Sequence, residues 1–269
     1  MIAARSSIAH WFAPPTSLHS YLTRLIVGGL GPILIFSVFM MVLLARQEQA
    51  NRMRGLGDTT RALALAIDRE IESSITNLEA LATAEPLDVG AVNVFRAAAA
   101  RILHTQNNWR SLSLFDPKGA QLMRIEKPLV AESNDISRDS LNSVLRTRQP
   151  VIGDFSNRNS PESGINIYVP VTREQTLIYI LCAVIEPRVF TEILTRQKFP
   201  DTWTGTLFDA KRTIIARSRD AEKFIGTSVA DLLTTANLLT GDQLVRGVGP
   251  DGIAADAAVS RLNRTGWFV

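Results

Sequence analysis

The chain has 269 residues, with 29 Lys+Arg against 26 Asp+Glu and a formal net charge of +3. That balance is too mild, and the basic residues too scattered, to point to nucleic acid. A single cysteine, Cys182, excludes an intrachain disulfide framework, and its place in the apolar run LIYILCAVI marks it as a small buried hydrophobe.

Residues 1–24 hold Pro14-Pro15, His10 and His19 and read as an irregular tail. The two histidines have no Cys or acidic partner near them and make a poor metal site. Residues 25–45, LIVGGLGPILIFSVFMMVLLA, carry no charge and are bounded by Arg24 and Arg46. Their length matches the roughly 30 Å hydrocarbon core of a bilayer at about 1.5 Å of helix rise per residue. Gly28, Gly29, Gly31 and Pro32 loosen the first half, but lipid leaves helix as the only state that satisfies the backbone. The run is too long for a signal peptide and no small-x-small site follows it, so a retained spanning helix is expected. Arg46, Arg52, Arg54 and Arg61 outnumber Arg5 and Arg24, which by basic residues alone puts the larger part in the cytoplasm.

Residues 46–108 read as a long helix followed by a second one. Ile67, Ile71, Ile75, Leu78 and Leu81 recur at spacings of three and four, a stripe able to cover a sheet, a partner chain or both. Pro86 marks the first helix end and Asp88 is placed to cap the next, with Val92, Phe95, Ala99, Ile102 and Leu103 inward. From Trp109 the period falls to two: strands at 110–116 and 120–125 flank the turn Pro117-Lys118-Gly119. Residues 126–164 are polar and irregular, with a helical stretch near 140–146. Strands at 165–171 and 177–185 follow, then a helix after Pro187 with Val189, Phe190, Ile193 and Leu194 inward. Helices followed by hairpin-linked strands make an α+β fold with antiparallel sheet.

Leu114-Phe115-Asp116-Pro117-Lys118 recurs as Leu207-Phe208-Asp209-Ala210-Lys211, and the strand after each copy ends near an arginine, Arg124 and Arg217. Val171-Thr172-Arg173 before Tyr179 likewise matches Val259-Ser260-Arg261 before Trp267. The matching order indicates an internal duplication. Asp251-Gly252 between alternating residues signals a two-residue hairpin. The second copy stops a residue or two into its last strand, at Gly266-Trp267-Phe268-Val269, so it is expected to be truncated.

Leu114-Phe115-Asp116-Pro117-Lys118-Gly119, Ile167-Tyr168-Val169-Pro170-Val171, Phe224-Ile225-Gly226-Thr227 and Thr265-Gly266-Trp267-Phe268-Val269, in this order, resemble bacterial transmembrane sensors with a double Cache domain. The resemblance covers roughly residues 25–269. It implies a cytoplasmic tail (1–24), a transmembrane helix (25–45), sensor helices (46–108), a membrane-distal PAS-like module (109–198) and a truncated membrane-proximal one (199–269). It also implies a periplasmic sensor domain anchored in the inner membrane, against the arginine count; that count is weakest when a large domain translocates. The family's outputs, histidine kinase, diguanylate cyclase or chemoreceptor, show no motif in this chain.

Strand alternation puts Leu112, Leu114, Ile167 and Val169 on one face and Ser111, Ser113, Asn166 and Tyr168 on the other. The more polar face can line a pocket with Trp109, Arg110 and Asp154 at its rim. There Arg110 could fork onto a ligand carboxylate and Trp109 or Tyr168 cover it. The family's amino-acid-binding members use a tyrosine–arginine–tryptophan–tyrosine arrangement ending in an aspartate, and Trp109-Arg110 departs from that order. The expected function is small-molecule sensing by a homodimeric membrane receptor, with membrane lipid and a small ligand as partners and neither cofactor nor nucleic acid. The alternative is a ligand-free dimerisation module built on the helix stripe. Enzymatic activity is not expected: His104 stands alone, Cys182 is in an apolar strand, and Asp116 and Asp209 occupy positions that Asx turns explain.

Overall fold

The computed structural model describes residues 18–127, 137–155, 164–229 and 243–269. Most of the tail and parts of the irregular stretch after 126 lie outside them. The chain divides into two compact units, Met1–Arg54 and Gly55–Val269.

Within the first unit the described chain is helical, the opening part of α1 (Leu18–Ala82), which passes through Pro32 without interruption. Gly28–Glu48 is long and apolar enough to cross a membrane. Leu34, Phe36, Phe39 and Met41 are all exposed, which only an apolar surrounding makes favourable.

In the second unit the α1 stripe is fully used. Leu63, Ile67, Ile71, Ile75, Leu78 and Leu81 are buried in one continuous apolar core with strand residues Leu112, Leu114, Ile167, Val169, Leu181 and Ala183. The stripe therefore covers a sheet of its own chain, and Ile71 and Ile75 are not available to a partner. Pro86 opens a short helix, α2 (Glu85–Asp88), where its missing N–H costs nothing. Asp88 does not cap the next helix, α3 (Val92–Thr105), whose N-cap is Ala91. Its Oδ1 instead accepts from Arg173 Nε at 2.6 Å. Phe95, Ala99 and Leu103 are the buried face of α3.

Strands β1 (Trp109–Phe115), β2 (Gln121–Glu126), β3 (Val151–Ile152), β4 (Ile165–Arg173) and β5 (Thr176–Ile185) form an antiparallel sheet in the order β2-β1-β5-β4-β3. One face packs on α1. Helix α4 (Arg138–Thr147) brings Leu141 and Val144 to Phe115, Tyr168, Ile180 and Cys182 in a second apolar cluster. Ser137 caps α4, its Oγ accepting from the Ser140 N–H. Helix α5 (Pro187–Arg196) follows, with Val189, Phe190 and Leu194 buried as their spacing predicts.

Beyond α5 come the hairpin β6 (Thr206–Phe208) and β7 (Ile214–Arg217), the short helix α6 (Ala221–Phe224), and the hairpin β8 (Gln243–Val248) and β9 (Ala254–Val259). Five residues, 249–253, separate β8 from β9, rather than the expected two. The Gly249 N–H donates to the Ile253 carbonyl and Gly252 takes φ 78°, the left-handed position a glycine fills without strain. Phe268 bridges both Phe208 and Arg261, so the last residues lie between β6 and the segment after β9. Leu207, Ile215, Ala216 and Trp267 join the same core as the five-stranded sheet.

The two related hairpins match bond for bond. Phe115 pairs with Gln121 across a bulge after Leu114, and Phe208 pairs with Ile214 across a bulge after Leu207. The N–H groups of Asp116 and Asp209 donate to the carbonyls of Ala120 and Thr213. Each aspartate then accepts backbone N–H groups within its own turn, which is why both copies keep it.

Candidate functional site

Cross-strand pairing assembles the outer face of the five-stranded sheet as two rows. One runs Glu126, Ser111, Val184, Asn166; the other runs Arg124, Ser113, Cys182, Tyr168, Val151. Paired residues share a face, so four residues expected at the pocket, Ser111, Ser113, Asn166 and Tyr168, do come together. A register slip between Trp109 and Ser111 adds Arg110. Trp109 and Leu112 both belong to the core on α1, so the two residues between them fall on the other side.

The same slip removes Trp109 from the site. It is fully buried, and its Nε1 donates to Ser74 Oγ on α1 at 3.3 Å. Asp154 follows Gly153, whose N–H donates to the Asn166 carbonyl, and its own Oδ2 lies 3.0 Å from Lys211 Nζ, an ion pair that raises the pKa of the lysine. The next residue, Phe155, donates its N–H to the Asp209 carboxylate. The loop after β3 is thus tied to the turn of the β6–β7 hairpin. Sequence alternation cannot show a bulge, and nothing in local sequence marks a contact more than fifty residues away.

The gathered face carries buried polar groups. Arg110, Ser111, Ser113, Asn166 and Tyr168 are all buried. Tyr168 donates its hydroxyl toward the Ser137 carbonyl at 3.5 Å, a long contact, and burial holds its pKa far above the usual phenol range. Burial also pushes the Cys182 thiol up to about 12, so it is neutral and no nucleophile. Arg124 forks onto Glu126 at the sheet edge. Ser111 Oγ is buried without a hydrogen-bond partner among the described residues. A buried, unpaired hydroxyl is unfavourable, and natural folds retain such groups chiefly where something else pairs with them. Gly164 packs against Val184 of the same row, where a Cβ would come within 2.3 Å of Val184 Cγ1.

Arg124, Glu126 and Cys182 were not foreseen as part of this face. Arg124 and Glu126 lie opposite Ser113 and Ser111, a relation that alternation along β2, once aligned with β1, does contain.

No protein-family model matches the sequence. No curated protein matches it significantly. Solved structures do match in fold. The extracellular domain of rpHK1S-Z16, described as a histidine kinase, superposes with a TM-score of 0.61 at 15% identity over 84% of this chain and 94% of that one. The ligand-binding domain of the Campylobacter jejuni chemoreceptor Tlp3, in complex with L-norvaline, gives 0.60 at 14% identity over 81% and 89%. That of the Pseudomonas aeruginosa amino acid chemoreceptor PctB, in complex with L-Arg, gives 0.61 at 13% over 79% and 91%. The fold is therefore that of the Cache-like sensor domains of chemoreceptors and histidine kinases, preceded by a candidate membrane span. These neighbours are sensor domains, not catalytic ones.

Proposed function

We propose that this chain is the extracytoplasmic sensing input of a receptor in the inner membrane, and that the outer face of the five-stranded sheet binds a small ligand carrying a carboxylate. The observation that carries the reading is the Ser111 hydroxyl, buried without a partner among the described residues and sharing its face with Arg110, Ser113 and Asn166 in a sensor-domain fold. The matched hairpins and the position of Phe268 between β6 and the Arg261 segment support a tandem arrangement, with 109–198 as the distal module and 199–269 as the proximal one.

The packing supports a route for signal output. The sheet that carries the ligand face buries the α1 stripe on its other side, and α1 is one helix from Leu18 to Ala82. A ligand that prefers one seating of the sheet shifts α1 between two positions, to the extent of its differential affinity. Full reversal of such a switch takes about 5.5 kcal/mol of preference. A homodimer would pass the displacement on as a change between paired helices.

The test is a thermal-shift screen of small carboxylates, amino acids and amines on the full chain in nanodiscs, repeated with Ser111→Val. A carboxylate should raise Tm in the wild type. Ser111→Val, which replaces an unpaired hydroxyl by a methyl, should leave the free protein as stable or more so and weaken that ligand about tenfold or more, a loss of about 1.4 kcal/mol. A screen without hits, or equal binding by the variant, overturns the reading.

A further inference from the structure

The β6–β7 hairpin holds a second buried cation whose surroundings leave it incomplete. Arg217 is 4% exposed. Its guanidinium lies 4.2 Å from the centroid of the Phe224 ring, and Nη2 donates to Asp251 Oδ2 at 2.7 Å. Nε and Nη1 are buried and have no acceptor among the described residues. The ring serves the flat face of the guanidinium, which leaves its edges to be satisfied by oxygen. Burying a guanidinium with two unsatisfied nitrogens is costly unless an acceptor reaches them.

The related hairpin shows what a purely structural arginine looks like here. Arg124 holds the position of Arg217, and Glu126, two residues on, accepts from both its Nε and Nη2. Two residues after Arg217 stands Arg219, a cation that donates instead to the Asp201 carbonyl. The second copy thus keeps the arginine and lacks the local carboxylate. Lys223 lies 5.2 Å from the same ring, so Arg217, Lys223 and Asp251 together carry one net positive charge. A single negative charge balances that sum, and a doubly charged phosphate overshoots it.

We infer that Arg217 is the anchor of a second binding site, distinct from the Ser111 face, for a small monocarboxylate held by Nε or Nη1 above Phe224. Asp251 competes for the same guanidinium. A carboxylate on Nε or Nη1 that draws the guanidinium away from Asp251 also releases the β8–β9 loop, which carries Asp251.

The experiment titrates formate, acetate and propionate into the full chain in detergent micelles by calorimetry, with chloride at matched ionic strength as the reference. The Ser111→Val background removes the first face, so failure of this site is separable from failure of that one. Saturable binding of at least one carboxylate is expected, lost at least tenfold in Arg217→Gln and weakened in Arg217→Lys, which keeps the charge but not the fork. Asp251→Asn removes the competitor and one negative charge and should tighten binding about threefold or more, a gain that a structural role for Arg217 does not produce. Should Arg217→Gln fail to fold, Asp251→Asn decides alone. No carboxylate binding on this background, or affinities unchanged by Arg217→Gln or Asp251→Asn, overturns the inference.

Discussion

The β1–β2 and β6–β7 hairpins are nearly the same object in different surroundings. Both place Leu-Phe-Asp at the end of a strand, both bulge after the leucine, and both close the turn on the aspartate. Yet Asp116 is half-buried and Asp209 buried, and Arg124 meets a glutamate two residues on where Arg217 must find Asp251 from another hairpin. The difference teaches that local sequence builds the turn, while neighbouring elements decide whether a charge in it is satisfied at once or left for something else. Three measurements on the full chain in micelles would break or sharpen the comparison.

The largest effect is expected at the paired leucines. Leu114 and Leu207 are both fully buried in the single core over α1. Leu114→Ala and Leu207→Ala should each cost about 2–5 kcal/mol in denaturant unfolding. A cost below about 1 kcal/mol for Leu207→Ala alone would show that the second hairpin is not part of that core.

A smaller effect separates the turns. Gly119 has φ 84°, and the matching residue of the second turn, Arg212, has φ 62°. Gly119→Ala should cost about 1–2 kcal/mol, since a Cβ is strained there and would also lie 3.3 Å from Leu141 Cδ2. Arg212→Gly should be neutral or stabilising by up to about 1 kcal/mol. Destabilisation by Arg212→Gly, or no cost for Gly119→Ala, would mean the turns differ in more than the residue they carry.

The smallest effect is a pH slope. Burial raises the pKa of Asp209, with the nearby Asp154 carboxylate adding to it, against the hydrogen bond from Thr213. A carboxyl whose folded pKa lies above its unfolded value of about 3.9 binds its proton more tightly when folded. Its contribution is present below that unfolded value and lost as pH rises through the folded one. The Tm of Asp209→Asn relative to wild type should therefore climb as pH rises above about 4. A flat difference would mean that the turn solvates Asp209 fully.

Much of this was legible from composition and period. The span, the α1 stripe, the α3 face, the main strands and the α+β class all follow from where apolar residues recur, because burial acts on side chains at fixed spacing. The repeated Leu-Phe-Asp turn was legible too, since an Asx turn is closed by residues within it. Trp109 was misplaced because a bulge leaves no trace in local spacing, and the ion pair of Asp154 with Lys211 was not legible for the same kind of reason, being a long-range contact. Asp88 was misread as a cap because Arg173, far along the chain, had the stronger claim on its carboxylate.

By itself the sequence determined that one helix is apolar enough for lipid, that the rest alternates between helix and antiparallel strand, and that one hairpin occurs twice. Only the tertiary structure decided which buried polar groups lack partners. Alternation orders neighbours along a strand, whereas the acceptor a hydroxyl or guanidinium finds comes from chain brought alongside by folding. Ser111 and Arg217 look ordinary in the sequence, and the packing around them leaves each short of a partner among the described residues.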